Sequence, residues 1–232
     1  MHMKRIFFPL SSLSPVLLWA VLLSACTARD EGIRPVSESI SLTDSAITIQ
    51  IDYTVLHSGA PQTEARLEVL NREIGNWIGD TEETFRREAR QAREEIPGIP
   101  PYELYLSDSV FMAGPRMVSI RYTQYAYTGG AHGMTVFRGY NYDLQTQTLL
   151  ENGALFKPGC TDAVNRLLER FFRNSEECFS EKPVLEAAAA VNFSPDAVTF
   201  IYDPYTLGPY ACGPAEVAVP LELLNEYLNI NL

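Results

Sequence analysis

The sequence predicts an α+β protein built from two small modules, each an antiparallel sheet with helices packed on one face. Three observations lead to this fold class. Segments in which apolar and polar side chains alternate recur along the chain and are separated by glycine and proline. Apolar stripes with helical spacing lie in groups between those segments. The predicted strands and helices do not alternate regularly along the chain, which favours an antiparallel sheet over a doubly wound parallel one.

The first 25 residues have the three regions of a secretory signal peptide. Lys4 and Arg5 form the basic region, and the apolar run at 16–23 is too short to span a bilayer. The sequence Leu23-Ser-Ala-Cys26 resembles the lipobox of bacterial lipoproteins, so we expect Cys26 to be lipidated and to begin the mature chain. Ordinary secretion with a structural Cys26 is the alternative.

Residues 26–41 are polar and include Pro35, which predicts a tether between a lipid anchor and a folded domain. Within the tether, Arg29-Asp-Glu31 resembles a short charged export signal of some surface lipoproteins, but a solvated linker is the favoured interpretation. We therefore expect a cell-envelope protein held by acyl chains. The outer membrane is its expected location, on the periplasmic or the surface-exposed face.

The chain is acidic, with a formal net charge of −11 that becomes −13 once residues 1–25 are removed. This charge argues against a nucleic-acid partner and is compatible with a cationic protein. The sequence has no phosphate loop, no dinucleotide fingerprint and no zinc-ligand spacing. It therefore predicts neither a cofactor nor a metal site.

The N-terminal module is predicted to span 42–130. Its clearest strand alternates isoleucines with polar residues on the opposite face. Asp80, with Glu83 three residues later, has the character of a helix N-cap, which predicts two successive helices. The predicted elements are strands at 45–56, 102–112 and 116–127 and helices at 62–78 and 80–96.

The C-terminal module is predicted to span 131–232, and its strands and helices alternate irregularly. Val164, Leu167 and Leu168 lie on one face of the clearest helix. The predicted elements are strands at 135–144, 197–202 and 215–219 and helices at 161–172, 184–191 and 221–228. Three cysteines, Cys160, Cys178 and Cys212, allow one disulfide in an oxidising envelope and leave one thiol over, with the pairing open.

The most distinctive stretch is Tyr122-Thr-Gln-Tyr-Ala-Tyr-Thr-Gly-Gly-Ala-His-Gly133, which connects two alternating runs. Its glycines permit positive φ or a close approach of another segment. His132 in this stretch is a candidate general base, with a carboxylate such as Asp203, for an envelope hydrolase acting on glycan or peptide. No second catalytic residue stands at a diagnostic spacing, so a hairpin pinned by the imidazole is the favoured interpretation.

Further blocks accompany this stretch: Tyr140-Asn-Tyr-Asp-Leu144, Pro204-Tyr205, Gly208-Pro-Tyr210 and Val217-Ala-Val-Pro220. Together they resemble the extracellular domain of the anti-sigma factor RsiV, which also occurs in the accessory region of the peptidoglycan deacetylase PdaC. The resemblance covers 134–228 as an RsiV-like C-terminal module and 47–127 as its PdaC-like N-terminal partner.

The resemblance implies a protein that binds a protein or cell-wall ligand and has no enzyme activity of its own. We expect it to be a monomer. Lysozyme, a cationic protein, and peptidoglycan fragments are the first candidates for the ligand. The ligand-binding residues are expected among the aromatic and loop residues of the distinctive blocks: Tyr125, Tyr127, Gly129, Gly130, His132, Tyr140, Tyr205 and Tyr210.

Overall fold

A computed structural model describes residues 32–96 and 98–230 of the chain. The expected signal peptide and the lipidation site at Cys26 lie outside these residues. The described chain contains two sheets with helices packed against them, so the predicted α+β class is confirmed. The elements are β1 (Arg34–Thr43), β2 (Ile47–His57), α1 (Pro61–Glu95), β3 (Tyr102–Ala113), β4 (Met117–Tyr127), β5 (Met134–Asp143), β6 (Thr148–Leu150), α2 (Thr161–Phe171), β7 (Ala190–Phe193), β8 (Ala197–Tyr202), β9 (Ala215–Pro220) and α3 (Leu221–Leu224).

The first sheet contains six strands in the order β1-β2-β3-β4-β5-β6. Every pairing in it is antiparallel except β2 with β3, which is parallel. The parallel pair follows from α1, because the helix carries the chain back along the sheet before β3 begins. One face of the sheet is covered by α1 and the other face meets the second sheet.

Helix α1 is continuous over 35 residues, which corrects the prediction of two helices meeting at Asp80. Its buried residues continue at helical spacing on both sides of that position and face the sheet. Packing along this stripe outweighs the cost of about 1 kcal/mol for a glycine such as Gly79 inside a helix. The buried residues of α1 are Leu67, Leu70, Ile74, Ile78, Phe85 and Ala89.

Strand β1 corrects the prediction that the tether extends to residue 41. Arg34–Thr43 pairs antiparallel with β2 along its whole length, and Ile40 and Leu42 pack against the first core. Its other residues are mostly polar, Val36 is 48% exposed, and the strand is open to solvent because it lies at the edge of the sheet. Its low hydrophobicity therefore hides a strand that only the pairing with β2 defines.

The second sheet is an antiparallel meander in the order β7-β8-β9. Helix α2 covers it and contributes Val164 and Leu168 to the second core. The helix predicted at 184–191 is instead a short 3-10 turn at Leu185–Ala187 followed by β7. The helix predicted at 221–228 consists of α3 and a 3-10 turn.

The boundary predicted at residue 130 falls inside the first sheet. Strand β5 pairs with β4 over ten positions, so β5 and the short β6 belong to the first module. The second module begins after Leu150. The turn between β4 and β5 can be recognised from its own residues because a hairpin is local in sequence. Those residues do not reveal which sheet β5 joins, because that depends on strand pairing.

The two modules meet where β7 lies across β4 and β5. Ser119 donates to Asn141 Oδ1 at 2.7 Å and accepts from the Phe193 amide at 3.0 Å, and Asn141 donates to the Val191 carbonyl at 2.7 Å. A Cβ atom on Gly139 would lie 3.3 Å from the Val191 carbonyl oxygen, so glycine permits this approach. These contacts fix the position of the second module against the first sheet.

Candidate functional site

The glycine-rich connection between β4 and β5 is a hairpin turn whose backbone needs glycine. Gly129 and Gly130 have φ of 91° and 95°, a region that other residues rarely adopt. The Tyr127 hydroxyl donates to the Gly130 carbonyl at 3.2 Å. Tyr127, Gly129 and Gly130 therefore shape the turn.

Gly133 ends this turn under the ring of Tyr125. A Cβ atom at position 133 would lie 2.3 Å from the ring carbon Cζ of Tyr125, which no real contact allows. The absence of a side chain is thus what lets the Tyr125 ring lie over the backbone. Gly133 also links Tyr125 to a second group of rings, because its carbonyl oxygen is bonded by His132 and Tyr210.

His132 and Tyr210 hold the Gly133 carbonyl together. The His132 Nδ1 atom lies 2.9 Å from that oxygen and the Tyr210 hydroxyl donates to it, also at 2.9 Å. The two rings stack with centroids 3.9 Å apart and planes inclined by 18°. Since the carbonyl can only accept, the Nδ1 atom carries the proton and Nε2 is left as an acceptor. Nε2 faces the hydroxyl of Tyr205 at 3.4 Å.

Tyr205 has two unusual properties for one residue. Its φ is 72°, in the left-handed region that costs a non-glycine residue about 1–3 kcal/mol. Its side chain is nevertheless 55% exposed, and its ring lies 5.4 Å from that of Tyr210. A strained, exposed aromatic residue held by neighbouring rings is typical of a binding surface.

Tyr105 extends the group onto the first sheet. Leu104 and Leu106 face α1, so Tyr105 between them faces the opposite side of the sheet. It is the pairing partner of Tyr125, with ring centroids 6.0 Å apart, and is 42% exposed. We call the resulting surface the aromatic row; it consists of Tyr105, Tyr125, His132, Tyr205 and Tyr210.

The structure brings together four of the eight residues expected to bind a ligand and adds Tyr105. The signal that reveals Tyr105 is its alternation with two buried leucines in β3. The structure corrects the prediction that Tyr140 belongs to the ligand-binding surface. Tyr140 is only 3% exposed and packs with Trp77 and Tyr122 in the first core. Periodicity in β5 places it on the α1 face, opposite the aromatic row.

A disulfide between Cys178 and Cys212 holds the loop that carries Tyr205 and Tyr210. Cys160 is a free, half-buried thiol. The loop also bonds through the Leu207 carbonyl to the amides of residues 180 and 181, at 2.9 Å each. The second-module part of the aromatic row is therefore attached to a covalently closed segment.

A hydrogen bond to a carboxylate and an ion pair join the modules beside the aromatic row. Asp203 accepts from the Phe137 amide at 2.9 Å, and Arg121 donates to Glu216 at 2.7 Å. Burial raises the pKa of Asp203, and the hydrogen bond from Phe137 opposes that rise. The Arg121 guanidinium lies 4.8 Å from the ring centroid of Phe111, a cation–π contact.

The carboxylates of Asp203 and Glu216 therefore have separate partners. Among the described residues, His132 has no hydrogen bond to a carboxylate, and no three His, Cys, Asp or Glu side chains are grouped to hold a metal ion. Within 32–96 and 98–230, no helix has both the length and the apolar character needed to cross a bilayer.

These features define a two-module α+β domain whose exposed aromatic surface is assembled from both modules. Residues 40–135 match the family model described as deacetylase PdaC, and residues 153–222 match the family of unknown function DUF3298. The two matches together make the chain similar to a two-part domain with a PdaC-like first part and a DUF3298-like second part. The second match begins just after β6, in agreement with the module boundary in the structure.

A curated relative is the peptidoglycan-N-acetylmuramic acid deacetylase PdaC of Bacillus subtilis, 24% identical over 159 residues. The alignment covers 61% of this chain and 34% of that protein, so the chain spans about a third of its relative. Two solved DUF3298 proteins share the fold. The one from Bacteroides fragilis has a TM-score of 0.63 at 18% identity, covering 88% of this chain and 96% of its own. The one from Pseudomonas aeruginosa PAO1 has a TM-score of 0.59 at 19% identity, covering 86% and 94%.

Proposed function

We propose that this domain is a non-enzymatic binding module of the bacterial cell envelope, held by a lipid anchor at Cys26, with the aromatic row as its ligand contact surface. The observation that carries the proposal is the exposed row itself, in which a strained Tyr205 is held outward by Tyr210 and His132. Such strain persists only where the surroundings enforce it, and it is concentrated at functional sites.

Peptidoglycan glycan is the first ligand candidate. The name of the PdaC relative refers to peptidoglycan-N-acetylmuramic acid. Sugar rings have apolar C–H faces and polar edges, and tyrosine offers an apolar ring and a hydroxyl in the same way. A row of tyrosine rings on one surface is thus chemically suited to a saccharide strand.

A cationic protein such as lysozyme is the second candidate, supported by the acidic chain and its charge of −11. Tyrosine is also enriched at protein–protein interfaces. The two ligands differ in salt dependence. Binding of a cationic protein to an acidic surface weakens as salt screens the opposite charges, whereas stacking of sugar rings on tyrosine rings involves no charge pair and does not weaken in this way.

The absence of catalysis is supported by the hydrogen bonds of His132. Its Nδ1 atom is engaged by Gly133 and its Nε2 atom faces Tyr205. The competing proposal of an envelope hydrolase needs His132 as a base. Incubation of the protein with acetylated peptidoglycan should release neither acetate nor soluble fragments above a buffer control; turnover that is lost in His132→Ala would support the hydrolase instead.

The binding test is co-sedimentation of the full chain with insoluble peptidoglycan, alongside a pull-down with soluble lysozyme at several salt concentrations. Tyr205→Ala should weaken retention about tenfold, since truncating an aromatic contact costs about 1–2 kcal/mol. Val184→Ala is the matched control, because Val184 is an apolar side chain 36% exposed outside the row. No retention of either ligand, or equal retention of wild type and Tyr205→Ala, would refute the proposal.

A further inference from the structure

A cleft lies on the face of the first sheet opposite the aromatic row, between α1 and the paired strands β4 and β5. Its volume is about 310 Å³, at the lower end of the range of about 300–1,000 Å³ for small-molecule sites. The lining is mainly aromatic and apolar, with two polar side chains. The lining residues are Trp77, Tyr122, Gln124, Val136, Phe137 and Arg138.

The wall of this cleft is preformed. Trp77 packs edge-on against Tyr122 with centroids 4.9 Å apart, and Tyr140 lies 5.6 Å from Trp77 and 5.5 Å from Tyr122. Tyr122 and Tyr140 are 1% and 3% exposed, so the three rings form one cluster anchored in the first core. Packed rings of this kind change little when a ligand binds, which reduces the entropy lost on binding.

Arg138 is positioned by the same rings. Its guanidinium lies 4.9 Å from the ring centroids of both Trp77 and Tyr140, a cation–π arrangement on two sides. Among residues 32–96 and 98–230, no carboxylate lies within ion-pair distance of Arg138. The planar group is thus oriented while its N–H donors stay available, and their fork geometry matches a carboxylate.

Nearby charges restrict the class of anion. Burial raises the pKa of Tyr140, Arg138 opposes that rise, and the carboxylates of Glu73 and Glu151 add to it. The carboxylates of Glu73 and Glu151 therefore lie near Tyr140, whose ring Arg138 contacts, and would repel a multiply charged group such as a phosphate ester. A single carboxylate on an apolar body satisfies both Arg138 and the aromatic wall.

We propose that this cleft binds a small monocarboxylate. The carboxylate accepts hydrogen bonds from Arg138, and the body of the ligand, one ring or a short acyl chain, lies against Trp77, Tyr122 and Val136. Gln124 supplies the second polar contact. The inference does not depend on the aromatic row, because the two sites lie on opposite faces of the sheet.

The test uses the fluorescence of Trp77 in the full chain carrying Trp19→Phe, since the sequence has only two tryptophans. The probes are cyclohexanecarboxylate and N-acetylmuramate, with cyclohexanecarboxamide as the neutral analogue. Cyclohexanecarboxylate should change the emission saturably, and the amide should bind at least about tenfold more weakly, because it lacks the charge that Arg138 recognises. Saturation by N-acetylmuramate as well would show that the site accepts a sugar acid.

Three variants separate recognition from folding. Arg138→Gln should weaken carboxylate binding at least about tenfold, and Arg87→Gln, an exposed arginine on α1, should not. Val136→Phe should also weaken binding by filling the cleft while Arg138 is retained and Trp77 stays the single tryptophan. The proposal is overturned if neither carboxylate gives a saturable change, if acid and amide bind equally, or if a folded Arg138→Gln binds as wild type does.

Discussion

Replacing Ser119 by alanine should weaken the junction between the modules more than the loss of one oxygen suggests. Ser119 is 0% exposed, and its hydroxyl makes three hydrogen bonds at the junction, two of them to the second module and one to Asn141 on the neighbouring strand β5. It donates to Asn141 Oδ1 at 2.7 Å and accepts from the Phe193 amide at 3.0 Å and Asn192 Nδ2 at 3.3 Å. Alanine removes all three bonds and leaves their partners buried.

The expected cost follows from those three partners. A buried polar group left without a hydrogen bond costs about 1–3 kcal/mol, so three groups at the lower end give about 3 kcal/mol. Asn141 cannot turn away to a new partner, because its amide is held by the Val191 carbonyl at 2.7 Å. A domain of this size loses about 2–4 °C per kcal/mol, which predicts a fall in melting temperature of roughly 6–12 °C.

Thermal and urea unfolding of the full chain, followed by far-ultraviolet circular dichroism, measure this change. The matched control is Ser41→Ala, because Ser41 is exposed on the edge strand β1. The control should stay within about 0.5 kcal/mol of wild type. A loss below about 1 kcal/mol for Ser119→Ala, or equal losses for both variants, would show that the junction does not depend on these hydrogen bonds.

Three more predictions test other parts of the structure. Gly139→Ala should cost about 1–3 kcal/mol, because the new methyl group would crowd the Val191 carbonyl, whereas Gly153→Ala, with no atom within 4 Å of its Cβ, should match wild type in the same melts. Burial raises the pKa of Asp108 above the ordinary 3.8. The unfolded chain therefore releases this proton at a lower pH than the folded chain does. The free energy of unfolding should fall as the pH rises from 3.8 through the folded-state pKa. Asp108→Asn should flatten this part of a plot of urea midpoint against pH; an unchanged slope contradicts it. Replacing both cysteines of the disulfide by serine should cost about 3–4 kcal/mol for its sequence separation of 34, and a loss below about 1 kcal/mol would contradict this closure effect.

The alternation of apolar and polar side chains along the sequence was enough to predict most strands of the described chain. Ile47, Ile49 and Ile51 are each 0% exposed and face the first core, as their two-residue period requires. The apolar stripe of α2 likewise places Val164 and Leu168 in the second core. These elements are predictable because one buried face imposes a period on the sequence itself.

The distinctive glycine-rich stretch was also recognisable, and the sequence predicted a hairpin pinned by His132. It could not show that the ring of Tyr125 covers Gly133, because that contact depends on the rotamer of Tyr125 and the path of the turn. Nor could it show that Tyr140 faces α1 while Tyr125 faces the other side. A tyrosine suits a core and a ligand surface equally well, so only the register of β4 and β5 decides.

Long-range pairing decided the rest. Edge strand β1 has a weak hydrophobic pattern, with Val36, Ile40 and Leu42 among mostly polar residues, and pairing with β2 defines it. The continuity of α1 through Gly79 depends on packing against the sheet. The sequence left the partner of Cys178 open. The structure shows that it is Cys212, which the loop after β8 brings close to Cys178 across a sequence separation of 34. By itself, the sequence determined the α+β class, the local elements and the family resemblance. The module boundary, the aromatic row and the cleft under Arg138 come from contacts between distant segments, whose geometry no local pattern encodes.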